Sequence, residues 1–311
     1  MFTKTVAERE KVKLMIGLTG PSGSGKTYSA LQLAYGITGD WKKIALVDTE
    51  NKSSLYYAGE KTGEWQHIDF PPTIPGGYHP TNWIKAIEYV ESDKDIQVLI
   101  LDSISHEWNA TGGSLDLQTK FGGKFQDWAK VTPLHNAFVD KMRHSRLHII
   151  ATMRSKQDYA VEQNEKGKST PRKVGLAPVQ REGTDYEFGI ILDIQINHYC
   201  EASKDRTGIF AGRGPFQITA DTGKELLTWA NQGKSVAPKS QNPSTFSQDN
   251  PKHMEWFKAT LKKRNITLDA DINELVPYVV GKTVMDINNE IDKIVDDWNI
   301  EKLDESDVGL Q

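Results

Sequence analysis

The octapeptide Gly20-Pro-Ser-Gly-Ser-Gly-Lys-Thr27 restricts the fold of this 311-residue chain more than any other feature. It follows the apolar run at residues 14–19 (LMIGLT), which is typical of a strand buried on both faces. A helical pattern then covers Thr27–Ile37. The octapeptide fits G-x-x-x-x-G-K-[ST] between a strand and a helix, so it predicts a phosphate-binding loop.

The residue types of this loop suit a nucleoside triphosphate. Glycines let the backbone turn its N–H groups toward phosphates, and the positive end of the following helix points at the same anions. We expect Lys26 to reach the β- and γ-phosphates of ATP and Thr27 to ligate Mg²⁺. The residues expected around the nucleotide are Gly20, Pro21, Ser22, Gly23, Ser24, Gly25, Lys26 and Thr27.

Further apolar runs predict the rest of the fold. They are Lys43–Val47, Gln97–Leu101, His148–Thr152 and Gly189–Ile196, and helical patterns at Asn82–Val90 and Trp128–Arg143 separate several of them. Strands that alternate with helices indicate an α/β fold with a central, mostly parallel sheet flanked by helices.

Two of these runs end in acidic residues. Asp102 follows VLIL directly, and a carboxylate at such a strand end usually holds magnesium through water. Asp48-Thr-Glu50 follows KIALV in the same way. A solvated strand-end carboxylate is the alternative for Asp102.

These strand ends resemble those of RecA-type ATPases. That family places its catalytic glutamate in an acid–small–Glu sequence after the strand that follows the P-loop helix, as in Asp48-Thr-Glu50. The segment VLILDS is similar to the family's Walker B segment, so the resemblance implies a RecA-like core. It also implies that Glu50 is the general base that takes a proton from the attacking water. The alternative is that Glu50 caps the segment after it.

Lys204-Asp-Arg206 resembles the paired cations of RecA-type and replicative-helicase ATPases, which reach into the ATP site of a neighbouring subunit. A spacing of two residues places both side chains on one face of a strand. The resemblance implies that Lys204 and Arg206 offset transition-state charge in a homo-oligomer with ATP at its subunit interfaces. A solvated hairpin is the alternative.

Over residues 14–230 the chain is similar to core-only RecA-like ATPases of phages and prophages, which are implicated in single-strand annealing and recombination. Ile150–Lys156 (IATMRSK) is among the similar segments. Many RecA proteins have a γ-phosphate-sensing Gln after the fourth strand, and Thr152 stands at that place. The resemblance therefore places Thr152 at the nucleotide, with Arg154 as the alternative sensor.

The segment Lys166–Arg181 (KGKSTPRKVGLAPVQR) is basic and contains no acidic residue. Its glycines and prolines argue against a helix and favour a long loop or hairpin. In RecA-type proteins the segment after the fourth strand faces DNA, which implies single-stranded DNA binding here. The candidate DNA-binding residues are Lys166, Lys168, Arg172, Lys173 and Arg181. A solvated surface loop is the alternative.

Another segment, Gly112–Trp128, mixes glycine, lysine and aromatic residues and lies where RecA proteins have their other DNA loop. An irregular loop in front of the Trp128 helix is the interpretation that we favour for it.

Composition restricts the possible partners and the cellular compartment of the protein. The net charge is −4, so a nucleic-acid contact needs a local basic patch. A single cysteine, Cys200, cannot pair within the chain, and the polar N-terminus lacks a secretory pattern. No apolar run is long enough to span a bilayer. We expect a cytoplasmic protein, in the bacterial host if it is phage-encoded, without a membrane partner.

Composition also predicts the domains. We expect an ATPase core at residues 1–231, a linker rich in Ser, Pro, Asn and Gln at 232–250, and a small helical module with an acidic tail at 251–311. The module has 8 basic and 13 acidic residues, which favours a protein partner over DNA.

The leading hypothesis is an ATPase that acts on single-stranded DNA in phage-type recombination, annealing or replication. Three alternatives remain open. An oligomeric helicase or replication-loading motor would separate strands. A P-loop kinase would need a phosphate acceptor, and a nucleotide-gated partner-binding protein would hydrolyse ATP negligibly.

Overall fold

The computed structural model of this chain describes most of the first 234 residues and parts of the remainder. The described residues are 4, 6–59, 61–163, 169–234, 246, 251–264, 266, 269–280, 282, 286–287, 290–296 and 298. For residues 157–163, 169–176, 251–252 and 269–270 only the backbone is described. Residues 1–235 and 236–311 form two compact units.

The first unit contains an eight-stranded sheet in its described part. The strands are β1 (Met15–Gly20), β2 (Ile44–Asp48), β3 (Gln66–Asp69), β4 (Val98–Asp102), β5 (His148–Gln163), β6 (Ser169–Pro178), β7 (Ile190–Ile194) and β8 (Cys200–Asp205). Their order is β3-β2-β4-β5-β1-β7-β8, with β6 paired to β5 alone. The pairings from β3 to β7 are parallel, and β8 and β6 pair antiparallel. The predicted α/β fold with a mostly parallel sheet is confirmed.

Helices cover both faces of the sheet. They are α1 (Lys26–Thr38), α2 (Pro80–Ser92), α3 (Ser105–Asn109), α4 (Ser114–Lys120), α5 (Trp128–Arg143) and α6 (Ala220–Ala230). Successive strand residues point to opposite faces, so Ile100 packs in a core with α1 and α6, while Leu99 packs in another with α2 and α5. Burial on both faces explains why these strands read as unbroken apolar runs.

The parallel arrangement brings the carboxyl ends of β1, β2 and β4 to one edge of the sheet, beside the middle of β5. Asp48 at the end of β2 lies level with Asp102 at the end of β4. Gly20 at the end of β1 lies level with Arg154 in β5. Chain segments more than one hundred residues apart in sequence therefore meet beside the predicted phosphate loop.

The strand predicted at His148–Thr152 is much longer than expected. β5 continues to Gln163, and β6 returns beside it from Ser169 to Pro178 in antiparallel register. Of the two interpretations of the basic segment, a long loop and a hairpin, the structure has the hairpin. The last predicted strand is shorter, because β7 ends at Ile194 and a turn follows it.

The second unit is helical where it is described. It contains α7 (Pro251–Lys262), α8 (Asp269–Leu275) and helical residues at 290–296. Its buried core includes Phe257, Leu275, Ile291 and Trp298. Phe246, within the range that the sequence predicts as a linker, is 1% exposed and belongs to this core.

None of the described helices is both long and apolar enough to cross a membrane.

Candidate nucleotide-binding site

The phosphate loop connects β1 to α1, as the sequence predicts. Gly25 has φ 87°, a conformation that favours glycine, and α1 begins at the next residue. A Cβ atom on Gly20 would lie 2.5 Å from the carbonyl oxygen of Ile194, so only glycine fits the close approach of β7. The loop is therefore shaped by backbone, which leaves its N–H groups to bind phosphate.

Lys26 lies inside this loop. Its Nζ donates to the carbonyl oxygens of Gly20 at 3.0 Å and Pro21 at 2.9 Å. Burial is the main cause that lowers the pKa of Lys26, while the negative charges of Asp102 and Glu50 raise it. The ammonium group thus lies among the loop carbonyls and the carboxylates of the strand ends, where phosphate oxygens can replace the carbonyls as its acceptors.

Asp102 is buried and accepts two hydroxyl hydrogen bonds. Thr27 Oγ1 donates to Oδ2 at 2.5 Å, and Thr152 Oγ1 donates to Oδ1. Burial raises the pKa of Asp102 to about 6, although both hydrogen bonds act in the opposite direction. In the part of the chain that the structure describes, no lysine or arginine forms a salt bridge with this carboxylate.

The oxygen atoms of Thr27 and Asp102 suit Mg²⁺, the metal that the sequence predicts. Magnesium takes oxygen ligands, binds proteins through one or two side chains and usually keeps several waters. The Thr27 hydroxyl and the Asp102 carboxylate supply such oxygens beside the phosphate loop. A buried anion that forms no salt bridge is also unfavourable, and a bound cation would relieve that cost.

The structure places Thr152 beside Asp102, and its predicted contact with the γ-phosphate stays a prediction. Its side chain is fully buried, and its hydroxyl hydrogen is directed at Asp102. Thr152 therefore supports the carboxylate from behind, and this contact occupies the donor that the sequence assigns to the γ-phosphate.

Glu50 lies at the same edge of the sheet on a turn that its neighbours hold in place. Asp48 accepts the backbone N–H of Glu50 at 2.7 Å and also binds Ser54. Thr49 Oγ1 donates to the carbonyl of Asp102 at 3.0 Å and accepts the N–H of Ser103 at 2.8 Å. Asp48 and Thr49 are therefore positioning residues that connect the Glu50 turn to the end of β4.

Sequence reasoning missed two histidines at this site. His106 Nδ1 lies 2.7 Å from Thr49 Oγ1, and its ring stacks on Tyr78 with centroids 5.0 Å apart. His198, on the turn after β7, contacts the phosphate loop through Nδ1, 3.0 Å from the carbonyl oxygen of Ser24. No local motif marks either residue, because both contacts depend on the order of the strands.

Arg154 is the other residue whose role the sequence left open. Its Nε donates to Glu50 Oε1 at 2.9 Å. The sequence pattern alone places Arg154 only near the fourth predicted strand, whereas the β1–β5 register places it beside Gly20. The structure thus brings Arg154 together with the candidate base.

The predicted cation pair lies away from the phosphate loop of its own chain. In the sheet, Lys204 of β8 pairs with Ile191 of β7, and Ile191 pairs with Gly17 of β1. Gly17 comes three residues before Gly20, where the phosphate loop begins. Both cations are bonded locally: Lys204 Nζ lies 2.7 Å and Arg206 Nη2 3.1 Å from the carbonyl oxygen of Tyr186. The structure therefore does not bring these side chains into the nucleotide site of the same chain.

The candidate DNA-binding residues fall into three groups. Arg172 and Lys173 lie on β6, opposite Ala160 and Tyr159 of β5. Arg181 packs beyond the hairpin on α5, where its Nη2 donates to Thr132 at 3.1 Å and its guanidinium lies 5.9 Å from the Trp128 ring centre. These contacts leave the side chain of Arg181 half-buried. Lys166 and Lys168 lie outside the described residues.

Comparisons with known proteins agree with this site at the level of the family. No curated protein matches the chain. A family model described as an AAA domain matches residues 12–241, which include every strand of the sheet and the whole phosphate loop. Since that match covers well over half of the chain, the protein belongs to the AAA domain family of P-loop nucleotide-binding ATPases.

Proposed function

We propose that this protein hydrolyses ATP with Glu50 as general base and that single-stranded DNA stimulates the reaction. The observation that supports Glu50 most strongly is its position on the turn after β2, bonded to Arg154 at the edge of the sheet that holds the Thr27–Asp102 pair. In the reaction, a water oxygen bonds to the γ-phosphorus, the bond to the β–γ bridging oxygen breaks, and ADP leaves. The proton of the water passes to the Glu50 carboxylate.

The other residues hold the phosphates. Lys26 exchanges its loop carbonyls for β- and γ-phosphate oxygens, and the loop N–H groups bind the same chain of phosphates. Thr27 and Asp102 would hold Mg²⁺, which would neutralise phosphate charge when bound.

Two surfaces support single-stranded DNA as the ligand. One is the hairpin of β5 and β6, whose sequence carries the basic residues and no acid between 166 and 181. The other lies between α4 and α5, where the side chain of Phe125 is 92% exposed and that of Phe121 is 41% exposed. Lys120 and Lys124 flank these rings in sequence. Exposed aromatic rings beside lysines suit the bases and phosphates of a single strand.

The position of Lys204 and Arg206 supports an oligomer. Two cations that do not reach the phosphate loop of their own chain can act on ATP only from a neighbouring subunit. A cation so placed would stabilise the charge that develops on the γ-phosphate. The role in phage-type recombination or annealing is proposed on the sequence resemblance, and the acidic second unit is proposed as a contact for a protein partner.

The experiment is ATP hydrolysis with and without single-stranded DNA at two salt concentrations. We expect stimulation by DNA that weakens at the higher salt concentration, because the contacts are partly ionic. Phe125→Ala should weaken DNA binding by about 1–3 kcal/mol through lost stacking. Tyr89→Ala is the matched control, because Tyr89 is an aromatic residue of α2 with 69% exposure.

Each alternative has its own result in these assays. A rate of hydrolysis that DNA does not change would contradict the proposed DNA ligand. Strand separation driven by ATP would favour a helicase instead, and a requirement for a second phosphate acceptor would favour a kinase.

A further inference from the structure

The turn between β7 and β8 lies against the phosphate loop. A Cβ atom on Gly23 would lie 3.6 Å from Cδ1 of Ile196, and a Cβ atom on Gly25 would lie 3.1 Å from Nδ1 of His198. Both Ile196 and His198 belong to an exposed stretch at residues 195–199. The phosphate loop therefore has a neighbour on the side of β7, in addition to the strand ends that carry Glu50 and Asp102.

The backbone of this turn is fixed by its own hydrogen bonds. The N–H of His198 donates to the carbonyl oxygen of Gln195 at 2.9 Å, and the N–H of Gln195 donates to the carbonyl oxygen of Tyr199 at 2.8 Å. His198 has φ 67°, in the left-handed region that favours glycine and that asparagine and histidine also adopt. The turn thus holds the imidazole ring in one position relative to the phosphate loop.

His198 donates a hydrogen bond to the phosphate loop. Its Nδ1 lies 3.0 Å from the carbonyl oxygen of Ser24. A carbonyl oxygen can only accept, so Nδ1 carries the hydrogen. The N–H of Ser24 donates to the carbonyl oxygen of Pro21 at 3.3 Å. The loop is therefore held at both backbone groups of Ser24, from within by Pro21 and from the neighbouring turn by His198.

The peptide between Ser24 and Gly25 connects this hydrogen bond to phosphate binding. The peptide group is planar and trans, so its C=O and N–H point in opposite directions. Since the Ser24 carbonyl points at His198, the Gly25 N–H points away from the turn. Glycine adopts many backbone conformations at little cost, so Gly25 by itself permits this peptide to rotate. The bond from His198 selects one orientation.

We propose that His198 is a positioning residue of the nucleotide site: its hydrogen bond to Ser24 holds the Ser24–Gly25 peptide so that the Gly25 N–H faces the phosphates of the bound nucleotide. This inference rests on the proposed function, since it concerns the nucleotide of the same site. His198 acts through the loop backbone and needs no contact with the nucleotide itself.

Two substitutions separate the hydrogen bond from the shape of the turn. His198→Gly suits the positive φ and removes the donor. His198→Asn also tolerates this φ, and its side-chain amide can donate in place of Nδ1. Because the position is exposed and both replacements suit its backbone, we expect both variants to fold. His198→Asn is therefore the matched control for His198→Gly.

The test is the affinity for ADP with Mg²⁺, measured by calorimetry on the full chain. His198→Gly should bind ADP about tenfold more weakly than the wild type, because a charge-assisted hydrogen bond to phosphate is no longer held in place. His198→Asn should bind ADP within about threefold of the wild type. In ATP hydrolysis, His198→Gly should raise KM about tenfold and leave kcat within about twofold, because the loop binds phosphate equally before and during the reaction.

Urea unfolding without nucleotide separates a positioning role from a structural one. A histidine that only stabilises the fold would lower the free energy of unfolding in His198→Gly and leave ADP affinity unchanged, and that result would overturn the proposal. Equal weakening of ADP binding in both variants would overturn it as well, because the donor would not be the cause. ADP binding requires neither hydrolysis nor DNA. A wild type that fails to hydrolyse ATP, while its ADP affinity still depends on His198, would count against the proposed function alone.

Discussion

The hydroxyl of Thr27 lies 2.5 Å from Oδ2 of Asp102, although the two residues are 75 positions apart in sequence. Thr27 is in the first turn of α1, and Asp102 is the last residue of β4. The contact exists because β5 alone separates β1 from β4 in the sheet, so the two strand ends lie close together. It joins the phosphate loop to the carboxylate that we expect to hold magnesium, and the first prediction depends on it.

Asp102→Asn should have opposite effects on stability and on ligand binding. Burial raises the pKa of Asp102 from 3.8 to about 6, so the ionised carboxylate is unfavourable in the nucleotide-free fold. Removal of that charge should raise the free energy of unfolding at pH 7 by up to about 3 kcal/mol. It should also reduce the strengthening of ADP binding by Mg²⁺ by about tenfold or more. Urea unfolding and calorimetry check the two effects, and a loss of stability would contradict this account of Asp102.

His148 should make the free energy of unfolding depend on pH. It is buried, its Nδ1 accepts the N–H of Leu14 at 3.1 Å, and burial lowers its pKa from 6.5 to about 3. The neutral ring therefore contributes stability that is complete above pH 6.5 and is lost as pH falls from 6.5 toward 3. Between pH 7 and pH 5 the wild type should lose about 2 kcal/mol more than His148→Asn, whose amide can accept the same hydrogen bond without titrating. Equal losses in urea unfolding at the two pH values would rule this out.

The basic hairpin should contribute to DNA binding through charge. Arg172→Gln with Lys173→Gln should weaken the binding of single-stranded DNA of any sequence, because phosphates are the expected contacts. The slope of log affinity against log salt concentration should become shallower by about 1.4, which corresponds to two phosphate contacts on a single strand. Lys42→Gln with Lys224→Gln removes the same charge from exposed ion pairs elsewhere and serves as the control. An unchanged slope in the hairpin variant would place DNA on another surface.

Lys204 and Arg206 should act across a subunit interface. Lys26→Ala and Arg206→Ala should each be nearly inactive in ATP hydrolysis when assayed alone. A mixture of the two should regain activity, because about a quarter of randomly formed interfaces combine an intact phosphate loop with an intact Arg206 from its neighbour. A mixture no more active than its components would show that Arg206 does not complete the site of another subunit.

The apolar interior could be predicted from sequence, and the edges of the sheet could not. β4 reads VLILD and is buried along its whole length, and such a short apolar run is typical of a strand covered on both faces. β3 (QHID) and β8 (CEASKD) are short, polar and half-exposed edge strands, and they lack both an apolar run and a clear alternation. The hairpin was left between two interpretations because its pairing depends on β5 continuing past the sheet, which no local pattern indicates.

The candidate site also has a part that could be predicted from the sequence and a part that could not. Lys26 and Thr27 belong to a motif of contiguous residues, so their position follows from one strand, one turn and one helix. The contacts of Thr152 with Asp102 and of Arg154 with Glu50 join residues about fifty and one hundred positions apart. Such pairs depend on strand order and register, and a single sequence holds no signal for either.

The most direct test of the account is a single-turnover measurement of ATP hydrolysis by the wild type and Glu50→Gln, with nucleotide affinity measured on both. Glu64→Gln is the control, because Glu64 is a surface carboxylate with an 87% exposed side chain. The account predicts that Glu50→Gln hydrolyses ATP about 10²–10⁴-fold more slowly than the wild type but binds ADP equally well. It also predicts that Glu64→Gln keeps the wild-type rate. Hydrolysis by Glu50→Gln at the wild-type rate would show that Glu50 is not the general base and would contradict the proposed mechanism.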